Sequence, residues 1–319
     1  MTSPESPKPR VAIVGAGAIG CGWASLCVAH AWPAVLVDAD ARTMDRALAE
    51  IARRARALVT LGRADADLVE EGLRGVQPGR SLLHACGTAD WIIESVPEDL
   101  ALKQRLFENL GQVAQHAAVI SSSSSGLPIT DVAARCREPG RCVTAHPLNP
   151  PELVPLVEVV PGKFTAPGTV DTMRTWLRGL GRIPVVLKRE VPGNVVGRIA
   201  AAVWRECIEL VLTGVVDVDE IDRAVSLGPG LGWAAAGPHL TYHLGAGEGG
   251  VRVFLQQLLR SFEGWWGSLA RWEKLEPEQV RALTALIEKS YGQKLDALGE
   301  ARDRRLAAIL QALEQARRG

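Results

Sequence analysis

A chain of 319 residues with 47% hydrophobic side chains has material for more than one core, and its composition is not that of a disordered protein. Its 36 basic and 36 acidic residues cancel, which removes any overall electrostatic attraction to nucleic acid or to an anionic membrane. The longest apolar stretch, residues 199–216, is broken by Arg205, Glu206 and Glu209 and falls short of a membrane span. Residues 1–9 are polar, lack the apolar core of a signal peptide, and read as a flexible tail. A soluble, cytoplasmic protein is the expectation.

Taken in chain order, short β-branched runs mark strands at 10–14, 34–37, 91–94, 117–121, 141–145, 156–160 and 183–187. Helical patterns fall between most of them, at 21–31, 43–58, 100–115 and 169–180. Strands alternating with helices of this length predict an α/β fold with a doubly wound, mainly parallel Rossmann sheet. The last two strands lie close together, so the sheet is expected to finish in irregular order. After Lys188 the strands stop, and Pro192 and Gly193 punctuate the change. An apolar helix over 195–214 follows, and a Gly/Pro-rich stretch over 228–250 separates it from further helices. The last helix, 293–316, carries Leu295, Leu298, Leu306, Ile309, Leu310 and Leu313 on one face, fit to pack on its own domain or on a second subunit.

The first strand runs straight into Gly15-Ala16-Gly17-Ala18-Ile19-Gly20. Thirty-two glycines make a bare glycine pattern weak, but a strand before it and a helix after it make it strong. Gly15 permits the turn, Gly17 lets the backbone approach a pyrophosphate, and Gly20 lets helix and strand touch. Amides at Ala18, Ile19 and Gly20 open the helix and attract phosphate charge. Asp38 closes the second strand, placed to accept a hydrogen bond from an adenine-ribose hydroxyl and to repel a 2′-phosphate; its plainer reading is a cap on the next helix. NAD is therefore the expected cofactor.

His146 follows a strand, and Glu158 lies in the next. A lone histidine in such a place is usually structural. Beside a dinucleotide site it gains a chemical use: hydride removal from an alcohol needs a base for the hydroxyl proton, and an imidazole held by a carboxylate suits that task.

These residues, together with ESVPEDLALK from Glu94 to Lys103, the serine run 121–125, His146-Pro-Leu-Asn-Pro-Pro and Pro155-Leu-Val-Glu-Val-Val, resemble the 3-hydroxyacyl-CoA dehydrogenase superfamily over residues 10–250. The pattern is most similar to its branch of lambda-crystallin, L-gulonate 3-dehydrogenase and carnitine dehydrogenase. The resemblance implies an NAD-binding domain over 10–188 and a helical substrate and dimerisation domain over 189–319. It implies His146 as acid/base, Glu158 as its orienting partner, Ser125 as a hydrogen-bond donor to the reacting oxygen, and Glu98 and Lys103 at the nicotinamide end. Without it, Glu98 and Lys103 read as a surface charge pair and the serines as a polar loop. The implied partners are a small hydroxylated or keto substrate and a second copy of the chain.

Three positions depart from that family. Gly197 stands where a catalytic Asn is usual, in Pro192-Gly193-Asn194-Val195-Val196-Gly197-Arg198, with Asn194 three residues earlier as a possible substitute on nearly the same helix face. Gly232 stands where Arg is usual, and Ala235 where Phe is frequent. The implied pocket is wider and less cationic, suited to a substrate bulkier or less anionic than gulonate. Two rivals stay open: true 3-hydroxyacyl-CoA oxidation, and a crystallin-like protein that binds NAD but has weak or no catalysis. His239 and His243 share an i, i+4 spacing but no third ligand, so packing is expected of them and no metal. Six cysteines without a C-x-x-C pair read as buried thiols.

Overall fold

The structure, a computed structural model, describes residues 8–318. It divides into two compact units, Met1–Arg198 and Ile199–Gly319. Of the tail expected over 1–9, residues 1–7 lie outside the described residues. Lys8 donates to the His30 carbonyl at 3.0 Å and Pro9 is buried, so ordered chain begins before residue 10.

The first unit contains β1 (Val11–Val14), α1 (Ala18–Ala29), β2 (Ala34–Val37), α2 (Met44–Thr60), α3 (Ala66–Gly75), β3 (Val76–Pro78), α4 (Leu82–Cys86), β4 (Trp91–Glu94), α5 (Leu100–Val113), β5 (Val119–Ser122), α6 (Ile129–Val132), β6 (Cys142–Pro147), β7 (Leu156–Val160), α7 (Pro167–Gly179) and β8 (Ile183–Val186). They form one eight-stranded sheet in the order β3-β2-β1-β4-β5-β6-β7-β8. The strands from β3 to β6 are parallel, β7 runs antiparallel to β6, and β8 is parallel to β7. The irregular finish is this single reversal, which sets β7 against β6 with no helix between them.

Successive strand residues point to opposite faces and meet different helices. Ala12, Val14, Ile92 and Ile120 join Phe107 and Leu110 of α5 and Ile129 and Val132 of α6 in one core. On the other face Trp91 stacks on Trp176 of α7 at 5.8 Å and meets Trp23 of α1 edge-on at 5.6 Å. Its indole N–H donates to Ser121, so burial of the ring leaves no polar atom unmatched.

The second unit is all helical: α8 (Val196–Leu212) leads into it, followed by α9 (Val218–Leu227), α10 (Pro229–Ala236), α11 (Pro238–Leu244), α12 (Gly250–Ser268), α13 (Pro277–Tyr291) and α14 (Leu295–Arg318). The stretch expected as a separator, 228–250, therefore folds as α10 and α11. Pro229 and Pro238 begin helices because the first helical position needs no N–H, and Gly237 at φ +75° joins the two. Among the described residues of α14 only Ala307 is buried, while Leu295, Leu298 and Ile309 are exposed. Among the described residues no helix is long and apolar enough to cross a membrane.

Candidate active site

The glycine loop has the form its spacing predicts. Gly15 sits at φ +109°, where a Cβ would also strike the Ser95 carbonyl, and a Cβ on Gly20 would strike the carbonyl of Gly15. A Cβ on Gly17 would meet nothing within 4 Å, so the backbone borders open space at the point where a pyrophosphate has to approach. Because α1 opens at Ala18, the amides of Ala18, Ile19 and Gly20 are first-turn donors beside that space. One Asp38 oxygen accepts the Ala16 amide at 2.7 Å and the other accepts Asp40 at 3.0 Å. The carboxylate is thus clamped between the loop and the end of β2. The helical turn after β2 is held by Asp40, which accepts the Arg42 amide at 3.0 Å, and not by Asp38.

Glu94, at the end of β4, was not singled out by spacing and proves to be a centre of the site. Fully buried, it accepts from Lys103 Nζ, the Val96 amide at 2.8 Å and Ser122 Oγ at 2.6 Å. Lys103 is 1% exposed and also donates to the Val96 carbonyl at 3.1 Å. It lies 3.4 Å from Glu98. The pair read as a surface charge couple is therefore only half at the surface: Lys103 is buried and shared between Glu94 and Glu98, and Glu98 is partly exposed. Burial pushes the Glu98 carboxyl up, but the Ser124 hydroxyl, the Lys103 ammonium and the Gly126 amide outweigh it and hold Glu98 below its usual range.

At the reversed edge, His146 of β6 and Glu158 of β7 are register partners. Directly opposed residues of an antiparallel pair hold their side chains within contact distance, and here Nδ1 of His146 lies 2.8 Å from Oε2 of Glu158. Oε1 of Glu158 accepts two further bonds, from the Val195 amide at 2.8 Å and the Val196 amide at 3.0 Å. A carboxylate can only accept, so Nδ1 is the donor in this bond and Nε2 is left outside it. The turn that delivers those amides has Gly193 at φ +76° and Asn194 at φ +49°. This corrects one expectation: Asn194 precedes α8 in the left-handed conformation that Asn tolerates, instead of sharing a helix face with position 197. Its amide donates to the Ser125 carbonyl at 3.4 Å. The Ser125 backbone, Asn194, Glu158 and His146 are thereby brought together, with the Ser125 side chain at the surface.

A Cβ on Gly197 would meet nothing within 4 Å, and one on Gly232 only Thr241 Cγ2 at 3.9 Å. Neither glycine is demanded by packing, so both leave usable space. In the second unit, Ala235 is exposed on α10, and Nδ1 of His243 accepts the Val251 amide at 3.0 Å, a packing role. No group of three or more His, Cys, Asp or Glu that could hold a metal ion occurs among the described residues.

Comparison with known proteins gives these features a common origin. Residues 10–191 match the 3-hydroxyacyl-CoA dehydrogenase NAD binding domain, and residues 193–282 match the C-terminal domain of the same family. The chain is 37% identical to an L-carnitine dehydrogenase of Nocardiopsis dassonvillei over 317 residues, covering 99% of this chain and 95% of that one. It is 36% identical to a 3-hydroxyacyl-CoA dehydrogenase of Gibberella moniliformis over 314 residues, covering 96% and 95%. The solved structure of 5-formyl-3-hydroxy-2-methylpyridine 4-carboxylic acid 5-dehydrogenase, an NAD+ dependent dismutase, superimposes with a TM-score of 0.81 at 29% identity, covering 97% of this chain and 99% of that one. The chain belongs to the 3-hydroxyacyl-CoA dehydrogenase family and is an NAD-dependent dehydrogenase.

Proposed function

We propose that this dehydrogenase oxidises the 3-hydroxyl of a small, bulky-ended 3-hydroxy acid of the carnitine type, with His146 as the acid/base. The observation that carries the reading is the 2.8 Å His146–Glu158 pair, in which Nδ1 is committed and Nε2 is left to take the hydroxyl proton. Glu158 fixes the tautomer and stabilises the imidazolium once the proton arrives. Gly15, Gly17 and Gly20 with the first amides of α1 hold the pyrophosphate, and Asp38 holds the adenine ribose. NAD, when bound there, supplies the hydride acceptor. Ser125 steadies the reacting oxygen, and Glu98 borders the nicotinamide end, with Lys103 acting from behind through Glu94.

Gly232 offers no arginine side chain to clamp a second carboxylate, which supports a substrate less anionic than a sugar acid. The relatives named L-carnitine dehydrogenase, at 33–37% identity, support the same class. The helical region 189–319 supplies a homodimer interface, a reading supported by its exposed Trp204, Trp265 and Trp266.

NADH formation, followed with L-carnitine, L-gulonate and 3-hydroxybutyryl-CoA, tests this. Saturable turnover on L-carnitine above the other two is the expected result. Turnover confined to the thioester would favour the second reading, acyl-CoA oxidation, which the Gibberella moniliformis relative supports. Sedimentation should give a dimer at micromolar concentration, and a monomer at every concentration would remove the homodimer.

A further inference from the structure

Six cysteines are present, and two of them face each other: the sulfurs of Cys136 and Cys142 lie 3.6 Å apart. We propose that Cys136 and Cys142 form an oxidation site at which a hydroperoxide converts the two thiols into an intramolecular disulfide.

Both thiols are held in place by backbone interactions independent of the sulfurs. Cys142 opens β6, and its carbonyl accepts from the Thr165 hydroxyl at 2.6 Å. The Cys136 amide donates to the Ala133 carbonyl at 2.9 Å. Between them, Arg141 donates to the Gln115 carbonyl at 2.7 Å, and the Gly140 carbonyl accepts the Ala166 amide at 2.8 Å. Bond formation therefore asks the sulfurs to close by only about 1.5 Å to reach S–S distance, within a loop whose ends are already pinned.

The two thiols are chemically unequal. The Cys142 thiol donates to the Cys136 sulfur and, against the opposing effect of burial, brings Cys136 down to about 6, helped by the Glu138 amide and the Arg141 guanidinium. The same bond and burial raise Cys142. Cys136, 7% exposed, is the attacking thiolate, and Cys142, 1% exposed, is the resolving thiol. In the first step the Cys136 thiolate attacks one peroxide oxygen. The O–O bond breaks, Cys136 becomes a sulfenic acid, and the other oxygen leaves as an alcohol or water after taking a proton. In the second, the Cys142 sulfur attacks Cys136, an S–S bond forms, and the sulfenic oxygen leaves as water carrying the Cys142 proton. Two thiols lose two electrons, and the peroxide gains them. Cys27 and Cys86, whose thiols burial pushes up to about 12, serve as internal controls.

The test treats the folded, NAD-loaded full chain with hydrogen peroxide, blocks free thiols by alkylation, and maps the digest by mass spectrometry. The expected product is a cross-link between the peptides bearing Cys136 and Cys142, lighter by two hydrogens and reversed by dithiothreitol. It should form at least ~10-fold faster than oxidation of Cys27 or Cys86. Cys142→Ser should stop the reaction at a Cys136 sulfenic acid that dimedone traps, and Cys136→Ser should abolish both products, with circular dichroism checking that each variant is folded. The proposal is overturned if the cross-link forms only in denaturant, if Cys136 and Cys142 stay fully alkylatable while other cysteines oxidise, or if folded Cys142→Ser gives no dimedone adduct.

Discussion

Two buried carboxylates in the same sheet are neutralised in opposite ways. Glu94 and Glu158 are each 0% exposed, and every oxygen of each has a partner. Glu94 is paired with the Lys103 ammonium, and its network ties the ends of β4 and β5 to α5. Glu158 is held by two backbone amides and faces the His146 imidazole. Amide donors satisfy one Glu158 oxygen without a fixed cation, which leaves the other oxygen for the imidazole. The contrast sets a network that builds structure beside the pair proposed to move protons.

The largest effect expected from this contrast is at His146. His146→Gln should lower kcat by roughly 10²–10⁴-fold with NAD affinity unchanged by fluorescence titration. Turnover within tenfold of the parent would end the assignment of proton transfer to this pair. Lys103→Met should instead act on stability, leaving the Glu94 charge buried without its cation at a cost of about 3–5 kcal/mol. Urea denaturation checks this, and adding Glu94→Gln should recover part of the loss. A variant as stable as the parent would show that Glu94 does not depend on its cation.

Glu158→Gln should be milder on stability, since the side-chain carbonyl can still accept, and should lower kcat by about 10²-fold. NAD affinity, read by fluorescence titration, should stay unchanged. An unchanged kcat would reduce Glu158 to a packing residue. The smallest effect is expected at Gly197→Ala. Its Cβ enters open space, and helix propensity should raise stability by up to about 1 kcal/mol, read from the thermal midpoint. A fall in kcat/KM alongside that gain would show that substrate uses the space.

Much of the first unit was legible before folding. The spans of β2, β4 and β7 coincide with their alternating or β-branched runs, and the glycine loop leads into α1 as its spacing requires. Other parts were hidden for identifiable reasons. β3 is a three-residue edge strand ending in Pro78, too short to show a period. α10 and α11 were obscured because glycine and proline read as breaks, although proline at a first helical position starts a helix. Lys103 looked like a surface charge, because nothing local announces that Glu94 lies nine residues back and buried against it.

The sequence by itself determined what rests on local backbone chemistry. A strand, three glycines at fixed spacing and a helix start make a phosphate cradle, because left-handed φ, absent side chains and free amides are properties of neighbouring residues. It also determined the family, whose model matches span residues 10–191 and 193–282. Tertiary structure alone assembled the His146–Glu158 pair proposed as the acid/base. Only the reversal of β7 sets Glu158 opposite His146, and only the turn at Gly193 and Asn194 brings the Val195 and Val196 amides onto the same carboxylate, some 37 residues away in sequence. Such contacts depend on strand order and register, which short-range periodicity does not encode.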